Sequence, residues 1–559
     1  MWALQRQLFA GAIALLFNGA AAFADESVAK PPAPVIRLNT LGYLPATPMA
    51  ATIAQESGQF QVRRLADGAT VWEGELSPPS LNADTDERLS TADFSGLGEA
   101  PTGDYELVVS PSGERVRFRI DADLYREPFR LATRAMYLWR CGTPVHGEHA
   151  GDHFEHGPCH MDDALLDLVG QPGVRGPMTG GWHDAGDYNK YVVNAGATVG
   201  VMFRAWEDFG PAIEAVELDI PGTEPKLPDF LAELKWELDW LRSMQADDGS
   251  VYHKVSAKNL GGMIASDKDA DPRYVVPWSS AATADFTAMM AQAARIYEPY
   301  DAEFAADCLR AAKRSYAFLQ AKPEEHKAEQ GEFQTGGYDA PDGDDKLWAA
   351  AELWETTGDQ AVLVDLEKRI KSSANVDADW DWQNLRNLGL LTYLFSSREG
   401  RSAELVDQLR KKLLATADDI VAATKAHGYA RPLGQKYYWG CNGTVARQSL
   451  VLQAAYRLTG DEKYRNATLD GLNHLLGRNC YGRSFITGLG ERPPLRPHDR
   501  QSEGDAVETP WPGYLVGGAN PKATDWTDRM EDYRTNEIAI NWNGALIYAL
   551  ASQLEPAAK

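Results

Sequence analysis

The apolar residues of this chain change their period once, near residue 122, and this change constrains the fold more than any other feature of the sequence. Residues 33–121 alternate apolar and polar side chains in short runs separated by turns, as in Tyr105, Leu107 and Val109. A period of two with turns between the runs predicts β-strands that bury one face. A length of roughly 90 residues is typical of a small immunoglobulin-like β-sandwich.

After residue 122 the apolar residues recur every three or four positions. One stripe is formed by Leu231, Leu234, Leu238 and Leu241, and similar stripes are present near 281–297, 303–320, 346–356, 403–424, 444–458 and 537–553. This spacing predicts a series of amphipathic α-helices.

Two of the expected joints between helices are nearly identical, since residues 357–359 and 459–461 are both Thr-Gly-Asp. In each joint the glycine can take the left-handed conformation that ends one helix, and the aspartate can cap the next. Repeated helical hairpins with short joints predict a barrel or toroid of antiparallel helices, with a site built by the loops at one end. An α-solenoid is the alternative, but the chain shows no fixed short repeat.

The first residues have the composition of a secretory signal. One basic residue, Arg6, precedes an apolar stretch at 8–17 and an Ala-Phe-Ala ending. This pattern predicts a signal peptide of residues 1–24, and a secreted protein (periplasmic or extracellular) with no stable membrane association after cleavage. An uncleaved N-terminal anchor is the alternative. The expected domains are then a sandwich at 25–122 and a helical domain at 123–559.

The charge and the cysteine count restrict the partners of the chain. A formal net charge of -25 over 559 residues disfavours a polyanionic partner such as nucleic acid, whereas a neutral polysaccharide carries no such penalty. The five cysteines are an odd number, so they cannot all pair in an oxidising compartment. Some of the thiols are therefore expected to be free or bound to a metal.

Three carboxylates are candidate catalytic groups. Asp184 and Asp187 lie in the Gly-rich run Gly-Trp-His-Asp-Ala-Gly-Asp, and Glu537 lies at the edge of the last apolar stripe. Inverting hydrolysis of a glycoside needs a carboxylate that activates water and a protonated carboxyl about 6.5–9.5 Å away. The aspartate pair suits the water side, and the apolar neighbours of Glu537 favour its protonated form. A turn or capping role for the aspartates, and a first-turn helix position for Glu537, are the structural alternatives.

Three motifs follow one another along the chain: Asp-Ala-Gly-Asp at 184–187, Ser-Phe-Ile-Thr-Gly to Pro-His-Asp-Arg at 484–500, and Trp-Thr-Asp to Asn at 526–543. They resemble those of bacterial glycoside hydrolase family 9, in the endoglucanase type that carries an N-terminal immunoglobulin-like domain. The likeness covers essentially the whole chain after the signal. It implies a multidomain protein, with a small all-β immunoglobulin-like sandwich followed by an all-α (α/α)6 barrel.

The resemblance also implies an activity and a role for individual residues. The protein is expected to be a monomeric inverting enzyme that cleaves β-1,4-glucosidic bonds in cellulose-like or mixed-linkage β-glucan polysaccharides or oligosaccharides. Asp187 would be the general base, Asp184 would help to hold the attacking water, and Glu537 would be the general acid. His498 and Arg500 would form hydrogen bonds to the sugar at the point of cleavage.

Two further positions bear on the substrate. Tyr533 is a candidate sugar contact because it lies one helical turn before Glu537. Asp499 stands where the family commonly has histidine, and a carboxylate there could meet an amino sugar. An exo-acting β-glucosidase or exo-β-glucosaminidase of the same family is therefore an alternative to the endoglucanase. A non-catalytic carbohydrate-binding protein is a weaker alternative, since it would not need opposed acids.

Cys141, Cys159, His160 and His183 provide two thiolates and two imidazoles, the composition of a closed structural zinc site. Spacing alone leaves unconnected cysteines and histidines as an equal alternative. The resemblance favours zinc, because this subgroup of the family has a zinc site at matching positions. His183 directly precedes Asp184, so a metal there would stiffen the catalytic turn.

Calcium is a second candidate metal. Residues 335–336, which are Thr-Gly, and Asp344 with Asp345 resemble a calcium loop of the family. Carboxylates and backbone carbonyls suit that ion. A solvated acidic loop explains the same segment at least as well.

Overall fold

The computed structural model describes residues 33–55, 57–98, 100–221 and 226–555. The predicted signal peptide, residues 1–24, lies outside the described residues. Within these ranges no helix combines the length and the apolar character that a membrane crossing requires.

Eight strands form the N-terminal part of the described chain. They are β1 (Ile36–Arg37), β2 (Ala50–Ile53), β3 (Gln59–Arg64), β4 (Thr70–Glu75), β5 (Ser80–Asn82), β6 (Glu87–Asp93), β7 (Gly103–Ser110) and β8 (Arg115–Ile120). Two antiparallel four-stranded sheets, β1-β2-β6-β5 and β4-β3-β7-β8, share one apolar core. The predicted alternation is confirmed, since Tyr105, Leu107 and Val109 on β7 all point into that core.

Fourteen helices follow within the described residues. They are α1 (Arg126–Leu138), α2 (Val192–Glu214), α3 (Asp229–Ser243), α4 (Ser280–Tyr297), α5 (Ala302–Ala321), α6 (Gly343–Thr357), α7 (Gln360–Ser372), α8 (Arg386–Phe395), α9 (Ala403–Ala426), α10 (Cys441–Thr459), α11 (Glu462–Leu475), α12 (Arg500–Gly504), α13 (Tyr533–Asn536) and α14 (Ile540–Ala551). The predicted apolar stripes coincide with helices of this series.

The long helices alternate between two layers. Helices α2, α4, α6, α8, α10 and α14 are buried over most of their length, whereas the helices that alternate with them bury mainly one face. Helix α14 packs against both α10 and α2, so the last inner helix returns to the first. An outer ring around a closed inner ring is an (α/α)6 barrel, and ring closure excludes the solenoid alternative.

The two Thr-Gly-Asp joints have the predicted capping geometry. Gly358 and Gly460 end α6 and α10 in the left-handed region, with φ of 69° and 68°. The side chains of Asp359 and Asp461 accept a backbone hydrogen bond at the start of the next helix. These local signals set the turns between inner and outer helices.

Among the described residues, five further strands lie in the connections between helices. They are β9 (Val145–His149), β10 (Asp152–His156), β11 (Lys190–Tyr191), β12 (Tyr252–Ala257) and β13 (Arg273–Trp278). Strands β9 and β10 form a hairpin, and β11, β12 and β13 form a three-stranded antiparallel sheet. Because β11 follows the acid pair Asp184 and Asp187 and leads into α2, this sheet borders the candidate site.

Candidate active site

The backbone brings three distant segments of the chain together. The amide of Ile540 donates to the carbonyl of Asp184 at 2.9 Å, and the amide of Arg500 donates to the carbonyl of Gly186 at 3.1 Å. A Cβ atom at Gly186 would lie 2.3 Å from the carbonyl oxygen of His498, so this approach requires glycine. The segments 184–187, 498–500 and 537–540 therefore form one continuous layer.

Glu537 lies in extended backbone between two helices, where the sequence pattern suggested the start of a helix. Its φ and ψ are -69° and 157°, and helix α14 begins only at Ile540. The backbone of Glu537 pairs with His498, and its carbonyl accepts a hydrogen bond from the amide of Gly517 at 2.8 Å. The structural alternative, a first-turn helix position for Glu537, is wrong because pairing with these two segments keeps the residue extended.

Asp184 is the deeper of the two aspartates, with 2% of its surface exposed. Its carboxyl accepts hydrogen bonds from Asn194 Nδ2 at 2.7 Å and Tyr338 Oη at 2.6 Å. Burial, together with the charge of Asp187, raises the pKa of Asp184 to about 8. Asp184 is therefore mainly protonated at neutral pH.

Asp187 lies at the surface of the same turn and is partly exposed. It accepts three hydrogen bonds, from the amide of Asn189 at 3.1 Å, from Asn189 Nδ2 at 2.9 Å and from Tyr191 Oη at 3.1 Å. These donors fix the orientation of the carboxylate while one side of it remains open. The geometry suits a base that meets a water molecule.

Glu537 is partly exposed on the same layer. Burial and the charges of Asp187 and Asp184 raise its pKa well above the ordinary value, against the hydrogen bond that Trp439 Nε1 donates to Oε2 at 3.0 Å. Its carboxyl therefore keeps a proton where an exposed glutamate would lose it. This is the requirement for a general acid.

Two of the predicted sugar contacts lie beside Glu537. The rings of His498 and Tyr533 have centroids 5.9 Å apart, and Tyr533 meets Trp439 edge-to-face at 5.3 Å. His498 Nδ1 lies 2.6 Å from the carbonyl of Met530, so Nε2 is the ring atom that can meet a sugar. Together these aromatic side chains form one wall next to the acid.

The four predicted metal ligands lie together. The ligand atoms of Cys141, Cys159, His160 and His183 are all within 4.8 Å of one another and all four residues are buried. Cys141 Sγ lies 3.8 Å from His160 Nδ1, and Cys159 Sγ lies 3.7 Å from His183 Nε2. Ligands of a tetrahedral zinc ion are separated by about 3.4–3.8 Å, given its usual bond lengths. Elsewhere in the described chain no other Cys, His, Asp or Glu side chains converge in this way.

The surroundings of the cluster suit a metal as well. Burial lowers the pKa of His183 to about 3, so the imidazole is neutral, which is the form that binds metals. His160 Nε2 lies 3.9 Å from Asp269, in the place of a carboxylate that orients a ligating imidazole. The residues present therefore fit a metal site.

A family model of glycosyl hydrolase family 9 matches residues 125–550, and a model of the cellulase N-terminal ig-like domain matches residues 31–114. The chain belongs to glycosyl hydrolase family 9. This confirms the family and the immunoglobulin-like sandwich that were predicted from the sequence.

Individual members of family 9 resemble the chain over almost its whole length. Endoglucanase D of Acetivibrio thermocellus is 51% identical over 520 residues, which cover 92% of this chain and 83% of the relative. A solved structure of Bacteroides ovatus GH9 has a TM-score of 0.87 and 31% identity, covering 93% of this chain and 98% of that one. A Zn-binding triple mutant of the family 9 endoglucanase J30 has a TM-score of 0.86 and 30% identity, covering 92% and 100%.

Arg500, the third predicted sugar contact of this family 9 chain, has most of its polar atoms engaged by the protein. Its Nε donates to the carbonyl of Gly262 at 2.7 Å, its Nη2 pairs with Asp269 at 3.0 Å, and it stacks on the ring of Tyr188. Arg500 therefore anchors the loop after β12 beside the metal cluster. A contact with sugar stays a prediction.

The idea that Asp499 meets an amino sugar is wrong. Only 3% of Asp499 is exposed, and its carboxylate accepts hydrogen bonds from the amides of Gln501 and Ser502 and from the Ser502 hydroxyl. It caps helix α12 and is unavailable to a ligand. The structural hint of an amino-sugar substrate is thereby lost.

The contacts around the expected calcium loop do not support that ion. Thr335 Oγ1 and the carbonyl of Gly336 accept hydrogen bonds from the ammonium group of Lys254. Asp344 instead accepts a hydrogen bond from the amide of Leu385 at 2.6 Å. Thr335 and Gly336 therefore contact a lysine, and Asp344 contacts a backbone amide, instead of sharing one ion.

Several residues that hold the aspartates were not recognised in the sequence. Asn189 and Tyr191 directly follow the Asp-Ala-Gly-Asp motif, so their proximity to Asp187 was a usable signal. Tyr338 is 154 positions away from Asp184 and is brought to it only by the fold. No local pattern distinguishes that tyrosine from the others of the chain.

Proposed function

We propose that this protein is an inverting endo-β-1,4-glucanase that cleaves internal bonds of cellulose-like or mixed-linkage β-glucans. The observation that carries the proposal is the convergence of Asp184, Asp187 and Glu537 on one partly open layer. Three carboxyl groups in distinct environments provide the acid and the base that cleavage of a glycosidic bond requires. The 51% identity with Endoglucanase D over 92% of the chain supports the substrate class.

Each carboxylate has one role in the proposed reaction. Glu537 donates its proton to the glycosidic oxygen as the bond to the anomeric carbon breaks. A water molecule attacks that carbon from the opposite face, and Asp187 takes up the proton that the water loses. Asp184, mainly protonated at neutral pH, helps to hold the water. Solvent then returns a proton to Glu537 and removes one from Asp187.

The Cys141, Cys159, His160 and His183 cluster is proposed to hold a structural zinc ion. Two thiolates and two imidazoles form a closed tetrahedral site of the kind that stabilises a fold. The likeness to a Zn-binding family 9 endoglucanase variant supports this choice of metal. Zinc bound here would fix the backbone on the N-terminal side of Asp184, without contacting the substrate.

Export is the remaining part of the proposal. Residues 1–24 have the composition of a cleaved signal peptide, which leaves an immunoglobulin-like domain at 25–122 and a catalytic domain at 123–559. N-terminal sequencing of the protein recovered outside the cytoplasm is expected to begin directly after Ala24. Size-exclusion chromatography of that protein is expected to give a monomer.

The test of the function is the product profile on cellohexaose and on barley β-glucan. Mixed short oligosaccharides are expected, and they should be absent with Glu537→Gln. Glucose released alone from chain ends would contradict the endo mode. An absence of any released sugar from the wild-type protein would contradict the enzymatic proposal altogether.

A further inference from the structure

One loop outside the acid motifs contacts Asp184 directly and is linked to Asp187 through Tyr191. The amide of Gly336 donates to Tyr191 Oη at 3.1 Å, and the same hydroxyl donates to Asp187 Oδ2 at 3.1 Å. Tyr338 Oη donates to Asp184 Oδ2 at 2.6 Å. The position of the loop 330–338 therefore sets the positions of the donors that orient the two carboxyl groups.

The backbone conformation of the loop 330–338 is not explained by local conformational preferences alone. Tyr338 has a φ of 47°, which is uncommon for an aromatic residue and disfavoured without support from its surroundings. A Cβ atom at Gly336 would lie 3.0 Å from the Tyr338 ring and 3.2 Å from the hydroxyl of Tyr191. Contacts from outside the loop must therefore hold it in place.

Lys254 on strand β12 supplies the main such contact. Its Nζ donates to Gln330 Oε1 at 2.6 Å, to the carbonyl of Gly336 at 2.7 Å and to Thr335 Oγ1 at 3.2 Å. All three acceptors belong to the loop 330–338. An ammonium group can donate three hydrogen bonds, and Lys254 donates all three to this one segment.

The charge of Lys254 is unusual in its setting. The residue is fully buried, and within the described ranges no acidic side chain forms an ion pair with it. Burial lowers its pKa to about 8, against the opposing charges of Asp187 and Asp339, so it is charged at neutral pH. The aromatic faces of Tyr191 and Phe333 lie 5.5 Å and 5.1 Å from the ammonium group.

We propose that Lys254 is a positioning residue for the hydrolysis. Its buried ammonium group anchors the loop 330–338 and, through Gly336 and Tyr191, fixes the carboxylate of Asp187. The ammonium thereby occupies the place at Thr335 and Gly336 that the sequence had suggested for calcium. The inference rests on the proposed function, in which Asp187 is the base.

The test compares Lys254→Met with Lys346→Met, which removes another buried ammonium group. Lys346 Nζ donates to the carbonyl of Pro323 and pairs with Asp342, away from the loop 330–338. Lys254→Met is expected to lower kcat on cellohexaose by about 10- to 100-fold, because a small displacement of a catalytic group has effects of that size. The KM is expected to change by less than about threefold, since the sugar contacts stay in place.

One further readout separates positioning from stability alone. Amide exchange in residues 332–338 is expected to become faster in Lys254→Met. Lys254→Arg keeps the charge and is expected to recover most of the wild-type kcat. Lys346→Met should lose thermal stability with a wild-type kcat and unchanged exchange in this loop.

The inference is overturned if Lys254→Met, like Lys346→Met, loses only stability and retains the wild-type kcat and loop exchange. If Lys254→Met does not fold, Thr335→Val removes one acceptor with little change of shape. Faster exchange in the loop and a several-fold lower kcat would then support the inference, and wild-type values would refute it. An inactive wild-type protein would refute the proposed function, while the exchange comparison would still decide whether Lys254 holds the loop.

Discussion

At the scale of single residues, the surroundings of the carboxyl groups separate their roles. Partial burial and the nearby charge of Asp187 favour the protonated form of Glu537, whereas Asp187 accepts three hydrogen bonds and keeps an open side. The same chemical group can therefore serve as acid at one position and as base at the other.

This assignment predicts different responses to the leaving group. Glu537→Gln is expected to lower kcat/KM on cellohexaose by about 10²–10⁴, the usual contribution of a general acid. On a dinitrophenyl β-cellobioside, whose leaving group needs no proton, the loss should be much smaller. Asp187→Asn should be equally impaired on both substrates, because water must be activated in each. Equal losses for Glu537→Gln on both substrates would contradict its role as acid.

Trp439 gives a prediction for the pH dependence. Glu537 must be protonated to act, so activity is lost as the pH rises through its raised pKa. The N–H of Trp439 stabilises the ionised form and lowers that pKa, so Trp439→Phe raises it further and moves the alkaline limb of kcat/KM to higher pH. Trp382→Phe is the control, because the ring of Trp382 packs on Tyr338, whereas the ring of Trp439 contacts Glu537. A limb that stays in place or moves to lower pH in Trp439→Phe would refute this coupling.

At the scale of elements, the question is what holds the long connection between α1 and α2 in a defined conformation. It contains only the β9–β10 hairpin and β11 as strands, yet it carries all four cluster residues and both aspartates. Unusually long connections inside a compact domain are often functional. A metal at the cluster would join three points of this connection directly before Asp184.

The metal is therefore expected to matter for stability more than for chemistry. The purified protein should contain one zinc per chain, and Cys159→Ser should lose it and lower the thermal unfolding midpoint by about 3–5 °C, which corresponds to a few kcal/mol for a domain of this size. His153→Ala alters an exposed histidine of the same connection and should do neither. Metal content by mass spectrometry and calorimetry measure both. A metal-free wild-type protein of equal stability would contradict the zinc site.

The elements also show which features a sequence can reveal. The alternation in the sandwich, the helical stripes and the Thr-Gly-Asp joints depend on neighbours in the chain, and the structure confirms them. The extended backbone at Glu537 depends on pairing with His498 and on the amide of Gly517, which are distant in sequence. The contact of Tyr338 with Asp184 is equally long-range. The residue types alone made the three acids candidates, and the family resemblance gave each acid its expected role.

At the scale of the whole molecule, the sandwich is joined to the barrel by buried polar contacts. Arg37 on β1 forms an ion pair with Glu87 on β6 at 2.6 Å, and both contact the hydroxyl of Tyr429 in the helical domain. The same connection is fixed by Asp84, which accepts hydrogen bonds from Tyr437 at 2.8 Å and contacts His427 Nε2 at 2.9 Å. The segment 427–437 that receives these contacts leads directly to Trp439 at the catalytic acid.

Glu87→Ala is therefore expected to affect both stability and the site. The guanidinium of Arg37 is only 2% exposed and would lose its carboxylate partner, at a cost of about 1–3 kcal/mol in the free energy of unfolding. Asp67→Ala removes the partner of an exposed arginine, Arg64, and should change that free energy by less than about 0.5 kcal/mol. Urea denaturation measures both variants.

The kinetics of Glu87→Ala show whether the sandwich only stabilises the protein or also helps to position the catalytic site. Loosening the segment 427–437 weakens the placement of Trp439, so kcat should fall several-fold and the alkaline limb should move in the direction predicted for Trp439→Phe. Asp67→Ala should leave both unchanged. If Glu87→Ala were destabilised but kept the wild-type kcat and alkaline limb, the sandwich would contribute stability alone. A shared shift would show that a contact between β6 and the barrel reaches the catalytic acid through one continuous stretch of chain.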